Sequence, residues 1–467
     1  MGVSLAVVAM TTARVTSPHF WLDSSPRSPA GDAGSTTAVW SVELDRHQRA
    51  GMTGHQGGHR VALIASSYHP HFGGVEEHTR HVAAHLVRRG HVVEVWTVDR
   101  GERLGVQTVD GIRVRYLPCP LPARRMSSAT RFVVSAPVAF GRWVAALRDF
   151  RPELLHVQCF GPNGPYAGAL SWASGVPLVI SAHGETFMDD GDIFGRSALL
   201  RRQLRRGCAT ADAVTACSRV VEDDLRARFG ASDVHVVPNG VDQGVVGQVV
   251  ERLERRADRP TVVAVGRLVQ VKGFDLLLRA MVDATTAPRL AIVGDGPERR
   301  SLEQLAGRLG LSERVEFLGR QAADDVQRTM SLADVVVVPS RREAFGIVAL
   351  EAWASGTPLI ATARGGPRDF VADGVDGLVV DPEDVPALAE AIDGVLGDPA
   401  LAARLAARGL ESVREFTWDR VAADYERIYR DVMHRRTASG ATVRREGAYP
   451  LGRLGALLSG RAHDSPP

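Results

Sequence analysis

Lys272 is the only lysine in this chain of 467 residues, in which lysine and arginine together number 56. A lysine ammonium is a compact point charge on a flexible stem, whereas arginine presents a rigid planar fork. The two are not equivalent where one donor must reach a phosphate oxygen in a confined cleft. Lys272 lies in Thr261-Val-Val-Ala-Val-Gly-Arg-Leu-Val-Gln-Val-Lys-Gly273, a buried strand running into Gly266, then Arg267, then the lysine five residues later. That order suits an anion site; the alternative is chance survival of one lysine in an arginine-biased chain.

Four more segments carry residue types that do chemistry. In Pro339-Ser-Arg-Arg-Glu343-Ala-Phe-Gly-Ile-Val-Ala-Leu-Glu351 a strand ends, a loop bears Glu343 and passes through Gly346, and a helix begins with Glu351 about one turn in. The start of such a helix offers unpaired N–H groups and a positive dipole end, which suits a diphosphate. Glu343 and Glu351 then stand ready to accept hydrogen bonds from hydroxyls on either side, although Glu351 by itself reads equally as a helix-surface carboxylate. Gly294-Asp-Gly-Pro297 ends in a proline suited to a helix first turn, and is also compatible with an ordinary strand-to-helix turn. Ser181-Ala-His183-Gly-Glu-Thr186 puts a histidine at a strand end, the place where cleft residues sit in parallel sheets, or a structural histidine. In His71-Phe-Gly73-Gly74-Val-Glu-Glu77 a glycine pair lets backbone amides come close to an anion or a sugar, or simply makes a tight turn.

The elements that position these segments are legible as alternating runs. Strand-like stretches at 60–66, 91–97, 112–117, 153–158, 177–182, 212–216 and 233–237 alternate with helical patterns such as 75–89, and a second series follows at 261–265, 289–293, 314–318, 334–338 and 357–361. Strands alternating with helices imply parallel βαβ units. The expected architecture is therefore α/β: two Rossmann-like, doubly wound parallel-sheet domains facing one cleft. The expected boundaries are a disordered extension over 1–58 with Met52 as a natural start, a first domain over 59–243 and a linker over 244–259. A second domain then spans 260–415, an amphipathic helix 416–436 and a disordered tail 437–467.

Composition excludes several classes. A formal net charge of +2 gives no concentrated basic face for nucleic acid. Cys119, Cys159, Cys208 and Cys217 contain no Cys-x-x-Cys, so neither a zinc site nor a disulfide framework is expected, and a reducing cytoplasm fits. No apolar run approaches a membrane span, and Met1–Met10 lacks the positive leading segment of a secretory signal. Arg196, Arg201, Arg202, Arg205 and Arg206 fall on one helical stretch, to be read as a solvated face or as a peripheral contact with the inner face of a membrane.

Together the glycine pair, His183-Gly184, Gly266-Arg267 with Lys272-Gly273, Val237-Pro-Asn-Gly-Val-Asp242 and Glu343 with Glu351 resemble the retaining glycosyltransferases of family 4, which have the GT-B fold. The resemblance covers about residues 59–435. It implies transfer of a hexose-type sugar from a UDP-, GDP- or ADP-linked donor to a hydroxyl acceptor in polysaccharide, glycolipid or small-molecule glycoside synthesis, with no metal or other cofactor. Arg267 and Lys272 would neutralise the donor diphosphate, with Asp295 and Gly296 beside it, and Glu351 would hold the ribose. Glu343 and the amides of Phe345, Gly346, Ile347 and Val348 would hold sugar and phosphate. His183 would approach the sugar from the first domain, Gly73 and Gly74 would face the phosphate or the acceptor, and helix 416–436 would cross back onto the first domain. The acceptor loops around 118–131, 160–166 and 184–196 carry no readable signature.

Several positions depart from subgroups of the family. The glycine pair lacks the preceding Lys-Thr of glycogen and starch synthases and the following Met-Asn-Val-Tyr of the inositol-phosphate branch. Asp369 stands where glutamate is common, and Trp353 where methionine is usual. The competing readings are a nucleotide-sugar epimerase on the same fold and a nucleotide-sugar-binding protein without turnover.

Overall fold

A computed structural model describes residues 58–71, 73–121, 126–189, 191–242 and 259–438. The extension, the linker and the tail expected from the sequence lie outside the described residues, except for Gly58, Arg259, Thr437 and Ala438.

Short runs of β-branched and apolar residues form inner strands that are buried on both faces, as helix-covered parallel sheets require. The first sheet has eight strands: β1 Arg60–Ala65, β2 Val92–Val98, β3 Val106–Val109, β4 Ile112–Leu117, β5 Leu154–Gln158, β6 Leu178–Ala182, β7 Ala213–Ala216 and β8 Val234–Val236, in the order β3-β4-β2-β1-β5-β6-β7-β8. All pairings are parallel except β3 with β4. The second sheet has six: β9 Thr261–Val265, β10 Arg289–Val293, β11 Val315–Gly319, β12 Val335–Val338, β13 Leu359–Thr362 and β14 Leu378–Val380, all parallel, in the order β11-β10-β9-β12-β13-β14. Two Rossmann-like α/β domains are therefore present. The edge strands β3 and β14 were not among the expected runs: β3 alternates exposed and half-buried residues, and β14 is three half-buried residues long.

Sheet order fixes where ligands bind. In the second sheet the order reverses between β9 and β12, and in the first between β1 and β5. Crevices at such switch points, outside the carboxyl ends of the strands, are the binding places of open parallel sheets. The loops at these two crevices are those bearing Arg267 with Lys272, Glu343, and the Gly73-Gly74 pair.

The helix expected at 416–436 runs from Trp418 to Ala438 and packs on the first domain. Its buried Trp418, Val421, Tyr425, Tyr429 and Val432 join a core with Val82 and Leu86 of helix Gly74–Arg88 and with β1 and β2. The Val237–Asp242 segment anchors its start. Val241 N donates to Phe416 O at 2.9 Å, and a Cβ on Gly240 would stand 2.6 Å from Trp418 N. Trp353, the residue in place of a methionine, is fully buried, donates from Nε1 to Asp376 O at 2.7 Å, and fits because Gly409 leaves it room: a Cβ there would lie 2.3 Å from its ring.

Candidate active site

The Lys272 loop and the Glu343 loop are fastened to each other. After β9 the chain makes a 3-10 turn over Gln270–Lys272 and then Gly273, whose φ of 68° belongs to the left-handed region. A Cβ on Gly273 would lie 2.0 Å from Pro339 O, so only glycine permits this approach. Arg341 N donates to Val271 O at 2.8 Å, and the Arg341 guanidinium pairs in two-pronged fashion with Asp275 at 2.6 and 2.7 Å. Lys272 is thereby delivered to the second loop, where Nζ donates to Glu343 Oε2 at 2.7 Å. Ser340 Oγ donates to the same oxygen at 2.8 Å, and Glu343 is 6% exposed. Sequence reasoning placed both ends of this ion pair but not Ser340, which lies in the quoted motif without a signal of its own.

The neighbouring pieces converge on the pair. Glu343 N donates to Arg364 O and Gly366 N to Glu343 O, at 3.0 and 2.9 Å. Helix Ile347–Ala354 starts at Gly346, with φ of 96°. The amides of Ile347 and Val348 stand in its first turn, where helix geometry supplies no acceptor. The loop at Asp295 and Gly296 packs on the Arg267 turn: Leu268 N donates to Asp295 O at 3.0 Å, and a Cβ on Gly296 would meet Leu268 O at 2.4 Å. Glu351 is one turn into its helix, and burial, with added repulsion from Glu77 of the first domain, pushes its carboxyl up to about 7.

The first domain closes over this surface. A Cβ on Gly74 would be 3.9 Å from Ile347 Cδ1, which sets the glycine pair opposite the helix start. Gly73 has extended backbone at φ of 174°, so close approach rather than backbone strain is what this pair provides. Gly184, with φ of 91°, abuts Ala344 so closely that a Cβ would stand 2.4 Å from the alanine Cβ, bringing His183 to the edge of the Glu343 loop. Ser218 Oγ donates to Ala344 O, and Asp369 Oδ2 accepts from Arg219 N at 2.7 Å. Asp369, the departure from glutamate, thus joins the domains. Between them, beside Glu343, a cavity of about 450 Å³ is lined by Phe187, Asp223, Asp224, Arg341, Arg342 and Arg364.

Behind His183 lies a buried polar network that sequence reasoning missed, because its members read individually as core positions. His78 Nδ1 is 2.7 Å from Asn239 Oδ1, and its Nε2 is 3.2 Å from Tyr425 OH. His156 meets Tyr429 OH and Ser181 Oγ, both at 2.6 Å. Burial holds these rings neutral, lowering His78 to about 4 and His156 to about 3, and it holds His183 well below the usual range. Of the five clustered arginines, Arg201 donates to Phe194 O and Gly195 O, and Arg205 to Arg228 O, so these two serve the fold, while Arg196, Arg202 and Arg206 are exposed. Among the described residues no helix is long and apolar enough to cross a membrane.

Comparison with known proteins shows the family and the fold. Residues 72–244 match the model of Glycosyltransferase Family 4, and residues 248–412 that of Glycosyl transferases group 1. A D-inositol 3-phosphate glycosyltransferase of Xylanimonas cellulosilytica is 30% identical over 427 residues, 82% of this chain and 99% of the relative. A GDP-mannose-dependent alpha-(1-6)-phosphatidylinositol monomannoside mannosyltransferase of Mycolicibacterium smegmatis is 31% identical over 377 residues, 75% of this chain and 92% of the relative. Among solved structures, a sucrose-phosphate synthase of Thermosynechococcus elongatus superposes with a TM-score of 0.68 at 28% identity, covering 80% of this chain and 99% of the other. The chain belongs to glycosyltransferase family 4, and its two domains form the GT-B fold of that family.

The neutral rings make stability depend on pH. An unfolded histidine takes up a proton near 6.5, whereas folded His78 resists until about 4 and His156 until about 3. Over that window the unfolded state binds more protons, so stability rises with pH and falls on acidification. Glu351 acts oppositely between 4.5 and about 7, since the folded chain keeps a proton the unfolded chain releases. Glu185, raised by burial, acts in the same sense as Glu351, and His78, His85, His156, His183 and His91, the last lowered to about 4, outnumber these two. The urea midpoint at about pH 5 should lie well below that at about pH 7, with a flatter dependence in His156→Asn. Equal midpoints in the native chain would contradict this account.

Proposed function

We propose that this glycosyltransferase moves a hexose-type sugar from a nucleotide diphosphate sugar to a hydroxyl acceptor with retention of anomeric configuration, without a metal ion. The observation that carries the reading is the Lys272–Glu343 pair, 2.7 Å long, at the switch-point crevice beside the start of helix Ile347–Ala354. Arg267, Lys272 and the first-turn amides receive the diphosphate, with Asp295 and Gly296 lining its path, while Glu351 accepts from the ribose hydroxyls. Glu343 and His183 hold the sugar from opposite domains, and Gly73 and Gly74 face the phosphate or the acceptor.

Breaking the anomeric C–O bond puts positive charge on the carbon and negative charge on the departing phosphate. Fixed cations and a helix start aimed at that oxygen stabilise the separation more than the ground state. The acceptor oxygen attacks from the same face, and its proton passes to the departing phosphate oxygen. No enzyme nucleophile is required. Glu76 brings negative charge to the first turn of the helix opposite the site, where Glu77 is paired with Arg80, and this favours a neutral hydroxyl acceptor over a phosphorylated one. The acceptor enters past Thr186, Phe187, Asp189 and Asp192, which line a cavity of about 330 Å³ with Arg342 of the second domain.

Nucleotide release from UDP-, GDP- and ADP-sugars, with and without simple acceptors, tests the reading. One donor should be consumed, and Lys272→Ala and Glu343→Ala should fold yet lose about two to three orders of magnitude in rate. A fully active Lys272→Ala contradicts it, and donor binding without turnover would move the chain to the non-catalytic reading. Exposed Arg196, Arg202 and Arg206 are proposed to touch an anionic bilayer. Sedimentation with anionic vesicles at low salt should carry the chain down, and its absence from the pellet dismisses that contact.

A further inference from the structure

Gln158 ends β5 beside the first domain's switch point and is fully buried. Its Oε1 lies 2.8 Å from His183 Nε2. An amide oxygen can only accept, so with the amide oriented this way the contact is a hydrogen bond when the proton of the ring sits on Nε2. The opposite end of the amide points back into the network, with Nε2 at 3.3 and 3.4 Å from the ring nitrogens of His156.

The rest of the His183 environment fixes the ring without choosing a tautomer. His183 N donates to Glu185 Oε2 at 2.7 Å, while Glu185 Oε1 accepts from Phe160 N at 2.7 Å, tying together the chain ends of β5 and β6. The ring of His78 packs against His183 with centroids 4.4 Å apart, and the Gly184–Ala344 contact presses the turn against the second domain. Only Gln158 engages a nitrogen of the His183 ring among the described residues.

We propose that Gln158 is a positioning residue that holds His183 as the Nε2–H tautomer, leaving Nδ1 bare to accept a hydroxyl of the bound sugar. The part concerning the sugar rests on the placement of His183 given under Proposed function. A neutral ring with an open lone pair is what such a contact needs. A protonated ring would bring a second positive charge toward the anomeric carbon as its own positive charge develops. The neighbours support neutrality: His78 and His156 are buried and uncharged, and the Glu185 carboxylate is committed to two main-chain N–H groups. Glu343, across the domain boundary, is engaged by Lys272 and Ser340.

Long-range proton–nitrogen NMR of the full chain, with histidine rings labelled with nitrogen-15 and His183 assigned through His183→Asn, reads the tautomer directly. The native chain should show His183 protonated at Nε2. Gln158→Leu should lose that preference, and Gln158→Glu, which keeps an acceptor oxygen, should keep the Nε2 proton while raising the pH at which Nδ1 takes up a second one. With the donor that the release assay identifies, Gln158→Leu should lower kcat by about tenfold to a hundredfold, and Gln158→Glu should recover part of the loss. A native ring protonated at Nδ1, or an unchanged tautomer in folded Gln158→Leu, overturns the proposal. Should Gln158→Leu fail to fold, the native and Gln158→Glu spectra still decide. The tautomer is read without any donor, so an absence of glycosyl transfer is seen separately from a failure of this assignment.

Discussion

The ion pair between Lys272 and Glu343 is the constraint around which the molecule is arranged. Its two members are far apart in sequence and leave neighbouring strands at the point where the second sheet reverses its order. A side chain as flexible as lysine loses considerable rotamer freedom when held in one place. Glu343 supplies the hold, and Ser340 keeps Glu343 from turning away. The Arg341–Asp275 pair performs a similar service for the loops themselves.

Close backbone approach is the second requirement. Gly273 lies against Pro339 O, Gly296 against Leu268 O, and Gly365 against Glu343 O, each at a separation that a Cβ would forbid. Gly184 extends the same device across the domain boundary to Ala344. The site is thus assembled from four loops whose main chains touch, while Arg341, Arg342, Glu343 and Arg364 line the cavity between the domains. Behind the first domain's contribution, the terminal helix supplies Tyr425 and Tyr429 to the histidine network, so a segment remote in sequence completes the support of His183.

Much of this was legible in the sequence. Parallel strands buried on both faces write themselves as short apolar runs, which is why β9, β10 and β4 lie where periodicity put them, and why β3, exposed on alternate residues, did not stand out. Arg267 and His183 were legible because each sits beside a glycine just past a strand end, Lys272 because it is the only lysine of the sequence and precedes Gly273, and Glu343 because it lies between the end of β12 and the helix that follows Gly346. Gln158, His156 and His78 were not, since burial rather than spacing makes them a network, and three side chains from β5 and a helix meet Tyr425 and Tyr429 only after the chain has folded back. The Val237–Asp242 segment was visible as a motif, but its role as the seat of the terminal helix depends on the Gly240–Trp418 contact.

Calorimetric titration with UDP, GDP and ADP of the native chain, Lys272→Ala and Lys272→Arg tests the central claim most directly, because it reads diphosphate binding apart from turnover. One nucleotide should bind the native chain, and loss of the ammonium should weaken it by about tenfold to a hundredfold, the worth of one charge-assisted hydrogen bond. Lys272→Arg should not recover this loss in full, because a planar guanidinium fork does not reproduce the point charge that the ammonium sets beside Glu343. Binding by Lys272→Ala as tight as that of the native chain would show that the only lysine in the sequence does not meet the diphosphate, and would contradict the account.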